Sequence, residues 1–280
     1  MKITILGSGG GEGFPAAFCS CDHCNAARLA GGKSIRSLHQ TLINDDLLID
    51  LPADSAWHSV RFGVNFGDVA DILVTHAHSD HFEPTLFKTH GIWYAHNLKY
   101  PHLNYYGSAD VRMVYDKMVE AYGISPEVDA TLHFNEISAY ETRKVGNYTV
   151  TALPAKHAPK LTALNYVIKE NDKSLLYLHD TGFPNTEIID FVEKSFGRID
   201  CVMMDATMGT ADTPDSSGHM SFDQDKRLAN LLRDRGIADA ETVFVASHFT
   251  HNNAETHDKI EEIFEGTGII PSYDGLVIEI

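Results

Sequence analysis

Residues 76 to 84 read HAHSDHFEP and follow directly on DILVT, residues 71 to 75. Three histidines and an aspartate thus fall within six positions, just where a hydrophobic strand gives out. Polar rings crowded at the end of an apolar run cost free energy unless something binds them. A divalent ion is the simplest such partner, because imidazole is the commonest zinc ligand and serves manganese and iron, while a carboxylate adds a hard oxygen. In an extended segment residues i and i+2 project to one side, so His76 and His78 can share one ion. If the chain turns near Asp80, then Asp80 and His81 face a neighbouring position, and one segment can feed two adjacent ions.

Two ions need further ligands, and the sequence offers them in the same setting. His157 follows VTALPAK, Asp180 follows LLYLH, and His248 follows TVFVAS. Each sits where an apolar strand ends, so one edge of a fold can collect all three. Taken singly, a histidine or aspartate at a strand end is ordinarily a cap or turn residue; HxHxDH is not explained that way.

The surrounding pattern is β-rich in both halves. Runs such as KITILGS, HQTLINDDLLIDL, DVADILVTHA, LNYYGSA, TLHFNEI, NYTVTALPA, ALNYVIKE, SLLYLHDTG, IDCVMMDAT and ETVFVASH carry β-branched and apolar residues closed by Gly, Pro or Asp. Asn44, Asp45 and Asp46 predict a hairpin turn between HQTLI and LLIDL. Helical spacing predicts helices over 84 to 99 (Leu86, Phe87, Ile92, Trp93), 109 to 122 (Val111, Val114, Met118, Val119), 186 to 196, SFDQDKRLANLLRDRG, and NAETHDKIEEIFEGTG from residue 253. No linker of Ser, Pro or charge divides the chain. The expectation is one domain over 1–280, an α/β sandwich of two mainly mixed sheets with helices outside.

At 280 residues the chain is long enough for a substantial core. No apolar run approaches the roughly 18 residues of a membrane span, so a soluble protein without membrane contact is expected. MKITILGSGGGEGF is too short in its apolar part for a secretion signal. Cys19, Cys21 and Cys24 are too close for ordinary disulfide pairing, and together these features predict a reducing, cytoplasmic setting. The formal net charge of −17 disfavours long nucleic acid, whose binding depends on Lys and Arg displacing counterions. A small anionic ester remains compatible, because a metal's local charge outweighs the global field.

CSCDHC forms a second cluster. Cys19, Cys21 and Cys24 in CxCxxC spacing can wrap one tetrahedral zinc, which needs a fourth ligand. His23 is squeezed between the thiols, so His251, three residues beyond His248, is the better candidate. Cys201, inside the run CVMM, reads as a core residue. A third element is GTADTPDSSGHMSF, long and polar enough to be functional, in which His219 is the ring able to move a proton near neutral pH.

HAHSDH after ILVT, the isolated His157, HDTG around Asp180 and SH at His248 resemble the metallo-β-lactamase superfamily over nearly the whole chain. The resemblance implies a four-layer αββα sandwich with a dinuclear site at one edge. It implies that His76, His78 and His157 hold the first ion and Asp80, His81 and His248 the second, with Asp180 bridging and Asp50 orienting a histidine ligand. GSGGGEGFP, CxCxxC and HFTH are similar to the phosphoribosyl cyclic phosphodiesterase-like branch. That likeness implies a structural zinc on Cys19, Cys21, Cys24 and His251. It also implies that His219 stands over the active-site metals, protonating the leaving oxygen or stabilising the phosphorane, with Asp205 orienting a ligand or His219. The N-terminal pattern also resembles the pyrroloquinoline quinone biosynthesis B protein, a metal-binding carrier alternative, although that relative departs from the full HxHxDH set.

The expected function is hydrolysis of a small, cyclic phosphodiester, with His219 and Asp80 as catalytic residues. Two active-site ions, Zn or Mn with Fe compatible, and one structural Zn are the expected cofactors. The alternatives are a tRNA 3′-processing nuclease, for which a basic RNA-gripping arm is missing, and a lactone or thioester hydrolase, since fold and metals do not fix the substrate. A small phosphate ester is the expected partner, and a homodimer is compatible. Substrate contacts are expected from 84 to 135, where His90, His96, His102 and His133 are candidates for a pocket wall. His39, His58, His179 and His257 are expected to be structural. Phe14, Trp93, Tyr94, Tyr105 and Tyr106 are expected in the core.

Overall fold

The computed structural model describes residues 1–91, 93–253 and 255–280. Six strands open the chain: β1 (Lys2–Gly7), β2 (Gln40–Ile43), β3 (Leu47–Ile49), β4 (Asp71–Leu73), β5 (Leu103–Gly107) and β6 (Leu132–Glu136). Seven follow: β7 (Thr142–Val145), β8 (Tyr148–Pro154), β9 (Leu164–Glu170), β10 (Lys173–Leu178), β11 (Cys201–Asp205), β12 (Val243–Ser247) and β13 (Ile269–Pro271). The last, β14 (Leu276–Glu279), returns to pair antiparallel with β1. One mixed sheet has the order β14-β1-β2-β3-β4-β5-β6 and the other β13-β12-β11-β10-β9-β8-β7.

Strand alternation divides side chains between layers. Ile3, Ile5, Leu175 and Tyr177 point into the core between the sheets. Their neighbours Leu176 and Leu178 face outward onto helices α5 (Thr186–Phe196), α6 (Phe222–Asp234) and α7 (His257–Phe264). On the other side Leu6, Leu42, Ile72 and Tyr105 meet Val111, Tyr115 and Met118 of α3 (Ala109–Tyr122). The result is the four-layer αββα sandwich, with the period-2 pattern of each strand choosing its two neighbours. Cys201 is fully buried in the inter-sheet core.

Local chemistry fixes the element ends. Asn185 accepts from the Ile188 N–H to start α5, and Ser221 with Gln224 forms a capping box on α6. The hairpin between β2 and β3 forms as expected, with Asn44 and Asp45 at φ 49° and 75°. The helices over 109 to 122 and 186 to 196, and the one following Ser221, also form.

Other expectations fail. Among the described residues of 84 to 99 there is no α-helix, only a 3₁₀ turn at Pro84–Thr89. Leu86 and Phe87 pack on the outer layer, and Gly91, at φ 93°, turns the chain away. Trp93 and Tyr94 consequently stand exposed at 85% and 71%, not in the core, whereas Phe14, Tyr105 and Tyr106 are buried. Ile92, the remaining apolar position of that expected helix, lies outside the described residues. The last helix begins at His257 rather than 253, after Thr256, and Ala254 likewise lies outside the described residues. Helices α1 (Asp22–Ala30), α2 (Ser55–Phe62) and the short α4 (Pro126–Asp129), and strands β7, β13 and β14, have no counterpart in the pattern read from sequence. Among the described residues no helix is long and apolar enough to cross a membrane.

Candidate metal centre

The turn after β4 carries the histidine segment, and the second sheet clamps it. Tyr166 donates its hydroxyl to Val74 O at 2.7 Å, and the Leu164 N–H donates to Thr75 O at 2.8 Å. His157 follows β8, Asp180 follows β10 and His248 follows β12, so the C-terminal or turning ends of several strands converge on one edge. Asp50, Asp180 and His248 all adopt left-handed φ, at 67°, 51° and 65°. Non-glycine residues adopt that conformation at a cost of about 1–3 kcal/mol each, and here it turns each side chain inward at a strand end.

Three overlapping groups of ligand atoms share Asp180, one of them Asp180, Asp205, His219 and His248; the other two match the expected ligand sets. In the first, His76 Nε2 lies 2.8 Å from His78 Nδ1, and His157 Nε2 lies 3.2 Å from the same atom. Asp180 Oδ2 is 3.2 Å from His76 Nε2 and 3.3 Å from His157 Nε2. In the second, His81 Nε2 is 3.2 Å from Asp80 Oδ2 and 3.1 Å from Asp180 Oδ2, with His248 completing the group. Bonds of about 2.0–2.1 Å to a tetrahedral ion put its ligand atoms about 3.3 Å apart, close to these separations. Asp180 Oδ2 belongs to both groups, the position a bridging carboxylate needs.

The residues fit divalent ions on a second count. His248 Nε2 is buried without a hydrogen-bond partner among the described residues, which is costly unless a cation takes the lone pair. Burial, aided by His81, pushes the His76 ring down to about 4, and burial also lowers His157, whereas at His81 burial is overridden by Asp50 and Asp80, which hold the ring well above the usual imidazole range. Burial opposes charge on Asp80, but His81 overrides it and holds the carboxylate well below the usual range.

Hydrogen bonds fix the rings. His81 Nδ1 donates to Asp50 Oδ2 at 2.7 Å, which leaves Nε2 as its ligand atom. Asp50 in turn accepts from the Thr75 N–H at 2.7 Å and the Thr75 hydroxyl at 2.9 Å. His248 Nδ1 faces Thr207 Oγ1 at 2.8 Å. Asp50→Asn is therefore expected to weaken metal binding by about 10- to 100-fold with the fold retained, measured by competition with a chromogenic chelator.

His219 stands beside this cluster. Its Nδ1 lies 3.0 Å from Asp180 Oδ1 and 3.1 Å from Asp205 Oδ2. Burial disfavours its charge, but Asp205 and Asp180 outweigh that and push the imidazolium up to about 10. Asp205 is itself buried and accepts from the N–H groups of Thr207 and Met220 at 3.0 and 3.1 Å.

Sequence reasoning missed the support around this ring. Lys156 Nζ donates to Phe183 O at 2.9 Å and to Asp215 O at 2.8 Å, tying the segment after β10 to the loop that carries His219. Gly182 lies so near that loop that a Cβ would stand 1.8 Å from Ser217 O. Thr75 and Thr207 also escaped notice. The side chain of Lys156 carries no motif signal; the threonines stand beside VTHAH and DAT and could have been suspected as partners of histidine.

The cysteines gather separately. Cys21 caps α1 and Cys24 lies in its first turn, so this is a helix start rather than an open loop. His251 Nδ1 is 3.1 Å from Cys19 Sγ, 3.5 Å from Cys24 Sγ and 3.7 Å from Cys21 Sγ. Bonds of about 2.0–2.3 Å to zinc imply nitrogen-to-sulfur edges of about 3.6 Å, so the group fits one ion. The Cys24 N–H, with help from His251, holds the Cys21 thiol down at about 6, whereas burial pushes Cys24 up to about 11.

The remaining histidines divide. His39, His58, His179 and His257 are buried; His58, for instance, faces Gln40 Oε1 and Ser37 Oγ at 2.8 Å each. His90 and His96 do line a cavity, of about 500 Å³, but its walls include Leu48, Leu86 and Leu103 on the outer face of the first sheet rather than the ligand edge. His102 and His133 pair with each other at 3.1 Å on the surface.

A family model described as the beta-lactamase superfamily domain matches residues 53–249. No curated protein matches the chain in sequence. Among solved structures, a new diphosphatase from the PhnP family is 19% identical, with TM-score 0.74 and coverage of 100% of this chain and 97% of that one. Zn(2+)-bound PqqB from Methylobacterium extorquens is 17% identical, with TM-score 0.75 and full coverage of both chains. The short form of human tRNase Z is 16% identical, with TM-score 0.69 and coverage of 100% and 99%. At these identities the likeness is one of fold.

Proposed function

The chain belongs to the metallo-β-lactamase superfamily, a superfamily of metal-dependent hydrolases, and we propose that its reaction is the hydrolysis of a small, cyclic phosphodiester at a dinuclear centre. His76, His78 and His157 would hold one ion and Asp80, His81 and His248 the other, with Asp180 shared. Bound divalent ions supply Lewis acidity there, lowering the pKa of water and offsetting phosphoryl charge. Zinc and manganese both suit this donor set, and iron is compatible.

The observation that carries the reading is the placement of His219. Asp180 and Asp205 flank its Nδ1 at 3.0 and 3.1 Å, which fixes the ring and leaves Nε2 to face the substrate. A charged imidazolium so held can donate a proton to a departing alkoxide. Asp80 completes the second ligand group and steadies charge at its edge. The net charge of −17 favours a small ester over a long RNA, because a nuclease must hold a polyanion.

A panel of substrates tests this. With Mn²⁺ or Zn²⁺, turnover is expected on cyclic phosphates and bis(p-nitrophenyl) phosphate and not on lactones. Failure of the fully metallated protein on every phosphodiester would sink the proposal.

We also assign the cysteine cluster to a structural zinc on Cys19, Cys21, Cys24 and His251. One zinc per chain is expected to survive mild chelation and to be lost in Cys21→Ala, with a lowered melting temperature. A parent protein without that zinc in elemental analysis would contradict the assignment.

A further inference from the structure

The cysteine cluster has a chemistry besides its fit to zinc. CDHC, residues 21 to 24, spans the start of α1, with Cys21 as the cap and Cys24 in the first turn. The Cys24 N–H donates to Cys21 Sγ at 3.5 Å, which sets that sulfur against the positive end of the helix. A Cys-X-X-Cys pair at a helix start is an arrangement suited to thiol–disulfide exchange.

Access divides the roles of the two sulfurs. Cys21 is half-buried and Cys24 fully buried, so an incoming disulfide meets Cys21 first and Cys24 is placed to close the pair. The sulfurs of Cys19, Cys21 and Cys24 all lie within 4.8 Å of one another. Small side-chain movements therefore bring two of them to the bond length of about 2.05 Å. Cys19 is also half-buried, but a single residue separates it from Cys21, too short a spacing for ordinary disulfide geometry.

The cluster is tied to the reaction centre. His251 lies three residues past His248. Between them, Phe249 O accepts from the Gly10 N–H at 2.8 Å, and the Phe249 N–H donates to Ser8 O at 3.0 Å. Without the sulfurs and their ion, the His251 ring keeps Glu12, whose Oε1 lies 3.5 Å from Nε2, as its charged partner. The segment that carries His248 then loses its firmest anchor.

We propose that Cys21 and Cys24 form a reversible disulfide by exchange with a low-molecular-weight disulfide such as oxidised glutathione, expelling the zinc and loosening the segment that carries His248. The proposal rests on the structural-zinc reading for this consequence but not for its sulfur chemistry. The Cys21 thiolate attacks one sulfur of the oxidant, one glutathione thiolate departs, and a mixed disulfide remains on Cys21. The Cys24 thiolate then attacks Cys21 Sγ, and the second glutathione thiolate departs. Two electrons pass from the protein to the oxidant. Zinc, left with Cys19 and His251 alone, dissociates, and excess dithiol with added zinc reverses the sequence.

The zinc-loaded, full-length protein is treated with oxidised glutathione to test this. A chromogenic chelator reads released zinc, and mass spectrometry of unreduced peptides maps the bridges. One zinc per chain is expected to leave as a Cys21–Cys24 bridge forms, while Cys201, fully buried in the core, stays a free thiol. Cys24→Ser is expected to stop at a glutathione adduct on Cys21, and Cys19→Ser to form the same bridge as the parent. The oxidised protein is expected to bind active-site Mn²⁺ several-fold more weakly than the reduced one, and equal affinities would overturn the link to His248. A bridge that uses Cys19, or neither bridge nor zinc release, overturns the assignment. A parent that carries no zinc yet forms the Cys21–Cys24 bridge removes the structural zinc and leaves the disulfide site standing.

Discussion

Asp180→Asn is expected to empty both active-site ion positions together and to lower kcat/KM on a phosphodiester by about 10³-fold or more. The reason is that one oxygen, Asp180 Oδ2, lies 3.2 Å from His76 Nε2, 3.3 Å from His157 Nε2 and 3.1 Å from His81 Nε2. No other described carboxylate joins both ligand groups. Several kcal/mol of transition-state charge stabilisation come from metal ions, and each 1.4 kcal/mol is about a factor of ten. Asparagine is the right replacement, because Asp180 sits at φ 51° and asparagine tolerates the left-handed region. Loss of activity then reports on charge and ligation rather than on a strained backbone. Elemental analysis beside the kinetics decides the matter: retention of both ions by the variant contradicts the shared-ligand assignment.

His219→Ala is expected to leave metal content intact and to lower kcat in a way that depends on the leaving group. For an ester that releases an ordinary alkoxide, the loss should be about 10²- to 10⁴-fold, the usual contribution of a positioned acid. For p-nitrophenyl esters, whose leaving group departs without a proton, the loss should be under about tenfold. The proposed role requires this asymmetry, since Asp180 and Asp205 hold Nδ1 and Nε2 would then be the atom that gives up the proton. An equal loss on both kinds of ester would assign His219 to holding the phosphoryl group instead. Lys156→Met provides a milder companion: by releasing Phe183 O and Asp215 O it should lower kcat without lowering metal content, which absorbance-based kinetics and elemental analysis together measure.

Much of this centre is legible in one dimension because strand ends are. An apolar run of β-branched residues that stops at a histidine or aspartate places that side chain at the edge of a sheet, and His76, Asp180 and His248 are all of this kind. His251 was legible from chemistry, since three thiols need a fourth ligand. What could not be read are features set by distant contacts. The 84 to 99 segment has enough apolar residues for a helix, yet Pro84 and Gly91 stop it after a short 3₁₀ turn, and Trp93 and Tyr94 end outside. Helix α1 hides behind its cysteines, because Cys21 acts as its cap through sulfur and thiols are not usual capping residues. Lys156 carries no motif: a lysine beside a histidine acquires its contacts only when a loop 59 positions away folds against it.

The most direct test of the central claim is a titration of the metal-stripped active site with Mn²⁺ or Zn²⁺ while hydrolysis of a cyclic phosphodiester is followed. With the cysteine site already filled, activity should rise to a plateau at two ions per chain, and Asp180→Asn should abolish the rise. A plateau at one ion, or no hydrolysis of any phosphodiester at full occupancy, would contradict the account of a two-metal phosphodiesterase.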